Sequence, residues 1–77
     1  MKRKKHESEV IRLGAIIRFL RLEKKFTQAH LSTLCDVDVR TIQRIEKGEQ
    51  NLSFSLLLSI ANSLDIRLDT LIAKIFE

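Results

Sequence analysis

The chain has 77 residues with a formal net charge of +4, and 44% of its residues are hydrophobic. This length suits one small domain, and the balance of apolar and charged residues is that of a folded protein rather than a disordered tail. We expect neither a membrane span nor a signal peptide, because no apolar run approaches the roughly 18 residues that a span needs. One cysteine excludes an internal disulfide and favours a reducing compartment, so a cytoplasmic protein is expected.

The positive charge is concentrated near the N-terminus. The first 25 residues hold nine Lys or Arg against three Glu, whereas the rest of the chain holds five against seven Asp or Glu. A basic run that includes Arg3, Lys4 and Lys5 is typical of a solvated terminus, and it also suits an arm that follows a nucleic-acid phosphate backbone. We expect residues 1–8 to form this arm and residues 9–77 to form the folded domain.

No catalytic or metal site is predicted. His6, His30 and Cys35 show no pairing of a nucleophile with a base, and they do not have the spacing of a metal-ligand set. Cys35 is expected to be a small buried hydrophobic residue rather than a redox-sensitive thiol. We therefore expect no enzyme, no metal and no cofactor.

A first helix is predicted from about Glu9 to Lys24, because apolar residues recur there at spacings of three and four. These residues define its buried face: Val10, Leu13, Ile17 and Leu20. Gly14 lowers the helix propensity by about 1 kcal/mol relative to alanine. We therefore expect a close helix–helix crossing at Gly14.

The next two helices are short. Thr27 is a good N-cap for a helix over residues 28–35, and Asp38 caps a third helix that ends before Gly48. Asp36 falls where the chain must turn sharply, and aspartate tolerates the left-handed backbone conformation better than most residues other than glycine. The pattern predicts two helices that cross at a steep angle.

Two more helices complete the domain. The fourth begins at Asn51 or Ser53 and ends near Leu64-Asp65, and the fifth spans about residues 68–76. Because no internal repeat or low-complexity linker interrupts the pattern, the chain is predicted to form one compact all-α domain of five helices.

The third helix combines an apolar face, at Ile42 and Ile45, with a polar ridge. The ridge consists of two adjacent rows, one formed by Val39, Gln43 and Lys47 and the other by Arg40 and Arg44. A helix that buries one stripe and offers arginine, glutamine and lysine on another suits insertion into the DNA major groove. The alternative is an ordinary solvated helix face.

Six short motifs follow one another at regular places between residues 10 and 72. They are Leu13-Gly14, Leu20-Arg21, Thr27-Gln28-Ala29-His30-Leu31, Ile42-Gln43-Arg44-Ile45-Glu46-Lys47-Gly48, Asn51-Leu52-Ser53 and Ile60-Ala61-Asn62-Ser63-Leu64. The ordered set resembles the Cro/CI-type (XRE-family) helix-turn-helix domains of bacterial and phage repressors. The resemblance implies a lambda-repressor-like fold that binds double-stranded DNA. The chain departs from the family at Lys25, Asp36 and Asp65, where glycine is usual.

The resemblance also implies roles for individual residues. The side chains expected to read bases are Val39, Arg40, Gln43 and Arg44. Those expected to bind phosphates are Gln28 and Lys47. The charge of the basic arm, and not the resemblance, adds Arg3, Lys4 and Lys5 to them. Arg21 and Glu46 are expected to form a shielded ion pair that positions the recognition helix, and the alternative is two unrelated surface charges.

The fifth helix carries a wide apolar face for the terminal helix of so small a domain. We expect a homodimer interface there, together with the end of the fourth helix, formed by Leu68, Leu71, Ile72, Ile75 and Phe76. Ile16 and Phe19 are the alternative patch. A two-fold dimer would place two recognition helices about 34 Å apart and would require a near-palindromic site.

These features together predict a small dimeric transcriptional regulator with no membrane or small-molecule partner. The resemblance includes the stand-alone controller proteins of restriction–modification systems, which share its length and have a similar entry to the fourth helix, here Asn51-Leu52-Ser53. It extends to phage-type repressors and antitoxins. The alternative function is a non-catalytic protein-interaction module, or an antitoxin component, built on the same helical scaffold.

Overall fold

The computed structural model describes residues 6–77, which form five α-helices and no strand. The helices are α1 (Glu7–Glu23), α2 (Gln28–Cys35), α3 (Val39–Glu46), α4 (Phe54–Ser63) and α5 (Leu68–Ile75). The predicted all-α, five-helix fold is confirmed. Arg3, Lys4 and Lys5, which were expected to bind phosphates, lie outside the described residues.

The first helix starts earlier than the sequence pattern predicts. It begins at Glu7, so it extends two residues into the segment expected to form an arm. Glu7 and Glu9 lie in its first turn, where the partial positive charge of the helix N-terminus stabilises acidic side chains. The folded part therefore begins before the boundary placed at residue 8, while the arm itself stays a prediction.

The hydrophobic core receives at least one side chain from every helix. Its fully buried large residues are Ile17, Leu31, Ile42, Ile45, Ile60 and Leu71. On α1 the predicted stripe holds Leu13 and Ile17 in the core, whereas Val10 and Leu20 are half-buried. Within residues 6–77, no helix is long and apolar enough to cross a membrane.

Side-chain caps begin three of the helices. The Thr27 hydroxyl accepts a hydrogen bond from the backbone N–H of His30 at 2.9 Å, and the Asp38 carboxylate accepts one from that of Arg40 at 2.9 Å. Ser53 caps α4 in the same way, at 3.1 Å, so Ser53 rather than Asn51 is the cap. Each cap satisfies an N–H group that has no partner within its helix, which is why the helix bounds follow the sequence closely.

The last helix begins without a side-chain cap. Arg67, just before it, donates two hydrogen bonds to the carboxylate of Asp69, at 3.0 and 2.9 Å. These bonds, followed by the backbone N–H of Thr70, lower the pKa of the Asp69 carboxyl. The first turn of α5 therefore keeps a negative charge that interacts favourably with the helix dipole.

The first and third helices approach each other closely at Gly14. A Cβ atom at this position would overlap the carbonyl oxygen of Ile45 and would lie 3.2 Å from the carbonyl carbon and oxygen of Glu46. Because these are backbone atoms of α3, rotation of a side chain could not relieve the overlap. The close crossing expected from the sequence is confirmed, and it sets the distance between α1 and α3.

Four helix ends share one backbone motif. Each has a residue with positive φ just after the helix, and these residues are Lys25, Asp36, Gly48 and Asp65. In each case the next N–H bonds back to the carbonyl five residues earlier, as Val37 does to Ser32 at 3.0 Å. Glycine adopts this conformation freely, but lysine and aspartate do so at a steric cost. The three departures from the family pattern therefore lie at strained positions.

Lys25→Gly is expected to raise the free energy of unfolding by roughly 1 kcal/mol, because glycine removes the steric penalty of the left-handed conformation. The Lys25 side chain makes no hydrogen bond or ion pair with any other described residue. Urea unfolding followed by circular dichroism measures the change. Lys24→Gly is the matched control, because residue 24 has a φ of −78° and the change relieves no left-handed strain. It should lower the free energy of unfolding slightly, through lost helix propensity and the loss of an exposed ion pair with Asp65 at 3.8 Å. Equal effects of the two changes would contradict the argument.

Gly14→Ala is expected to lower the free energy of unfolding by roughly 1–3 kcal/mol, because the added methyl group forces α1 away from the α3 backbone. The loss should occur although alanine is the better helix former by about 1 kcal/mol. Ala15→Gly, at the exposed neighbouring position, reports the propensity effect alone in the same urea assay. A Gly14→Ala protein as stable as the parent would show that the crossing is not tight.

Candidate nucleic-acid interface

The second and third helices form a helix-turn-helix around the left-handed residue Asp36. Leu31 and Cys35 from α2 and Ile42 from α3 are buried, and Val37 in the turn is half-buried. The Cys35 sulfur lies 3.6 Å from the hydroxyl of Ser63 on α4, within the core. Because α3 also packs against α1, the apolar contacts hold it on two sides and leave its remaining face to solvent.

The solvent face of α3 carries the polar ridge. Arg40, Gln43, Arg44 and Lys47 are exposed, and Val39 is half-buried at the first turn. The two isoleucines of the helix are on the opposite, core side. One rigid element therefore presents all the side chains that the sequence proposes as base readers, together with one proposed phosphate ligand.

The positive charges of this ridge are not neutralised within the described part of the chain. The side chains of Arg40, Arg44 and Lys47 form no hydrogen bond or ion pair with any residue from 6 to 77. By contrast, one donor of the Arg12 guanidinium on α1 is already used within the protein, because it donates a hydrogen bond to the main-chain oxygen of Glu77 at 2.9 Å. The ridge therefore presents unused hydrogen-bond donors and positive charge to solvent. The base edges in a DNA groove can accept such hydrogen bonds, and the phosphates beside the groove attract the positive charge.

Arg21 and Glu46 form a buried ion pair between α1 and the last turn of α3. The Arg21 Nε donates to Oε2 of Glu46 at 2.7 Å, and its Nη2 donates to Oε1 at 3.0 Å. The remaining Nη1 donates to the carbonyl of Phe26 at 2.7 Å. The two side chains are only 8% and 2% exposed, so the reading as unrelated surface charges does not hold. The pair ties the helix that bears the ridge to the scaffold.

Gln28, the first residue of α2, is part of the same network. Its Nε2 donates a hydrogen bond to Oε1 of Glu46 at 3.1 Å, so the side chain links the start of α2 to the end of α3. Sequence reasoning missed this link and gave Gln28 only a phosphate role. The amide group has a second N–H that the link does not use. Its contact with a phosphate stays a prediction.

The expected dimer face on α5 needs correction. Leu71 is fully buried and Ile75 is 7% exposed, so both belong to the core of the protein itself. Leu68 and Ile72 pack partly against that core, and Phe76 is 71% exposed. The wide apolar face was misjudged because the helix is packed against both α1 and α4, which cover more of it than a single neighbour would. Only the outer side of α5 is left for a partner.

Other exposed apolar side chains lie outside α5. Phe19 on α1 is 60% exposed, and it lines a shallow groove with Ile16 and Lys74. On α4, Phe54 is 69% exposed and Leu58, one turn later, is 39% exposed. These two α4 residues were not among those expected from the sequence to lie on an apolar patch. Their spacing of four, away from the buried positions of the same helix, was the available signal.

Comparison with known proteins identifies the family. A family model described as helix-turn-helix matches residues 17–71, which include both helices of the motif and most of the core. A search of curated proteins gives no match.

Solved structures show the same fold. The restriction-modification controller protein C.AhdI from Aeromonas hydrophila is 30% identical, with a TM-score of 0.80, over 83% of this chain and 97% of that one. The controller protein C.Esp1396I, solved as a tetramer in complex with its natural 35 base-pair operator, is 27% identical, with a TM-score of 0.76, over 90% of this chain and 96% of that one.

The clp gene regulator ClgR from Corynebacterium glutamicum is 24% identical, with a TM-score of 0.85, over 88% of this chain and 72% of that one, and this likeness concerns the fold alone.

The exposed basic ridge and the matched family model lead to the same assignment. The chain belongs to the helix-turn-helix family of the XRE type, which consists of DNA-binding regulators.

Proposed function

We propose that this protein binds double-stranded DNA in a sequence-specific manner and regulates transcription without catalysing a reaction. The observation that carries the proposal is the exposed ridge of α3, whose arginine and lysine side chains have no partner among the described residues. The operator complex of C.Esp1396I supports double-stranded DNA as the class of ligand. We expect the protein to act in the cytoplasm, together with this DNA.

Within the ridge, we assign base reading to the first turns of α3 and phosphate binding to its end. Arg40 can pair bidentately with a guanine, and Val39 can contact a thymine methyl group. Gln43 and Arg44, one turn further along, are the remaining base readers. Lys47 is exposed and lies just after the last residue of α3. It is therefore suited to bind a phosphate of the DNA backbone at the edge of the groove.

We further propose that the protein acts as a homodimer on a near-palindromic site. Four base-reading side chains specify too few base pairs to define a unique site in a genome. Two copies of the protein on one site double the number of base pairs that are specified. The interface is assigned to the outer side of α5, where Phe76 is largely exposed beside the half-buried Leu68 and Ile72. This leaves α3 of each copy free to enter successive major grooves about 34 Å apart.

A second candidate function is a protein-interaction module, as in an antitoxin component. The exposed aromatic ring of Phe19 and the shallow groove beside it favour this alternative, because such a surface can bind an apolar side chain of a partner. Failure of the protein to bind any duplex DNA at low salt would favour it over the first proposal.

Arg40→Ala is expected to weaken binding to the selected operator by roughly 1–3 kcal/mol and to relax the preference at one base pair. Lys47→Ala should instead weaken binding to operator and random duplex alike, because a phosphate contact carries no sequence information. Selection from a random DNA pool supplies the operator, and fluorescence anisotropy measures both affinities. Equal losses on the two duplexes for Arg40→Ala would remove Arg40 from the base readers.

Phe76→Ser is expected to raise the dimer dissociation constant by about tenfold or more, because Phe76, the C-cap of α5, is the most exposed large apolar side chain on the proposed interface. Phe19→Ser is the matched control, since Phe19 is a similarly exposed phenylalanine on α1. Sedimentation equilibrium at tens of micromolar protein measures both. If Phe19→Ser dissociates the dimer and Phe76→Ser does not, the interface lies on α1. A monomeric parent protein would contradict the dimer itself.

A further inference from the structure

Beside the ridge lies an open concavity to which three helices contribute. It is lined by Arg18 from α1, Gln28 from α2, and Gln43, Glu46 and Lys47 from α3 and its C-cap. Four of these five side chains carry hydrogen-bond donors, and two are cationic. Three of the five were already considered for DNA contact on sequence grounds, but Arg18 was not.

Arg18 is brought to this concavity by the close crossing of α1 and α3. It follows Gly14 by four residues on α1, so it lies one helical turn along the same side. Gly14 contacts the α3 backbone at Ile45 and Glu46, and the next turn of α1 therefore runs beside the end of α3. Arg18 is exposed, and no residue between 6 and 77 forms a hydrogen bond or ion pair with it.

The carboxylate in this concavity does not repel an anion. Glu46 accepts two hydrogen bonds from Arg21 and one from Gln28, and its side chain is 2% exposed. Its negative charge is therefore compensated from the protein side. Among the residues that line the concavity, the exposed charged side chains are those of Arg18 and Lys47, and both are positively charged.

We propose that Arg18 and Lys47 together bind one phosphodiester of the DNA backbone in this concavity. The inference rests on the proposed function, because it takes α3 to lie in the major groove. A helix in that groove has a phosphate strand along each side, and the concavity lies directly beside the ridge residue Gln43. The planar guanidinium of Arg18 can donate to two phosphate oxygens at once, and Lys47 adds a point charge. In this arrangement α1 binds the DNA backbone through Arg18, in addition to the contacts of α3.

The inference is tested with Arg18→Ala and a salt titration of DNA binding. Each phosphate contact contributes about 0.9 to the slope of log affinity against log salt concentration for a duplex. Arg18→Ala should reduce the slope, by less than about one because Lys47 still faces the same phosphate, and should weaken binding about tenfold, equally on the selected operator and on a random duplex. Arg18→Lys should keep most of the slope, because it keeps the charge.

Arg12→Ala is the matched control. It removes the same charge from the same helix, but the Arg12 guanidinium is bound to the carbonyl of Glu77 at the other end of the chain. Its slope should remain that of the parent. If Arg18→Ala also keeps the parent slope, or loses no more than Arg12→Ala, the assignment of Arg18 is overturned while the proposed function stands. If the parent protein binds no duplex at low salt, the proposed function fails, and this inference fails with it.

Discussion

Arg21 brings a permanent positive charge into the interior, where Glu46 supplies the matching carboxylate. Removing two such charges from water costs several kcal/mol for each, and bidentate geometry with additional hydrogen bonds is needed to offset that cost. Here the additional bonds come from Gln28 and go to the carbonyl of Phe26. The network thus joins α1, the segment before α2, α2 itself and α3. The ridge helix cannot tilt without leaving a buried charge unpaired.

The close crossing at Gly14 complements this ion pair. The absence of a side chain at Gly14 lets α1 approach the α3 backbone, and the contact falls at Ile45 and Glu46, the very turn that holds the carboxylate. One feature sets the distance between the two helices and the other sets their orientation. The base reading that we propose depends on both, because a side chain displaced by about 1 Å no longer meets its partner in the groove. The contacts that stabilise the fold therefore also position the DNA-binding surface.

Backbone strain lies at the ends of the helices, and the side chains of each helix divide between the core and the surface. Lys25, Asp36 and Asp65 hold left-handed backbone conformations at helix ends, and of these Asp36 directs the turn into α3. The core absorbs the apolar side of every helix, including Leu71 and Ile75, which sequence reasoning had left for a partner. The surface carries a basic ridge on α3 and exposed apolar side chains elsewhere, among them Phe19, Phe54 and Phe76. The first suits a nucleic acid and the second suits protein contacts.

The sequence by itself determined the helices, because periodicity and the caps Thr27, Asp38 and Ser53 are local properties. It also indicated the ridge, since spacing alone shows which side chains share a face of α3. It misjudged α5, because burial depends on how many neighbours cover a helix. It did not indicate the position of Arg18 beside the end of α3 or the link from Gln28 to Glu46, because both depend on where distant segments meet. Capping hydrogen bonds and hydrophobic periodicity depend only on residues that are close in the sequence. Contacts between helices form only when the helices pack together, so the tertiary structure decides them.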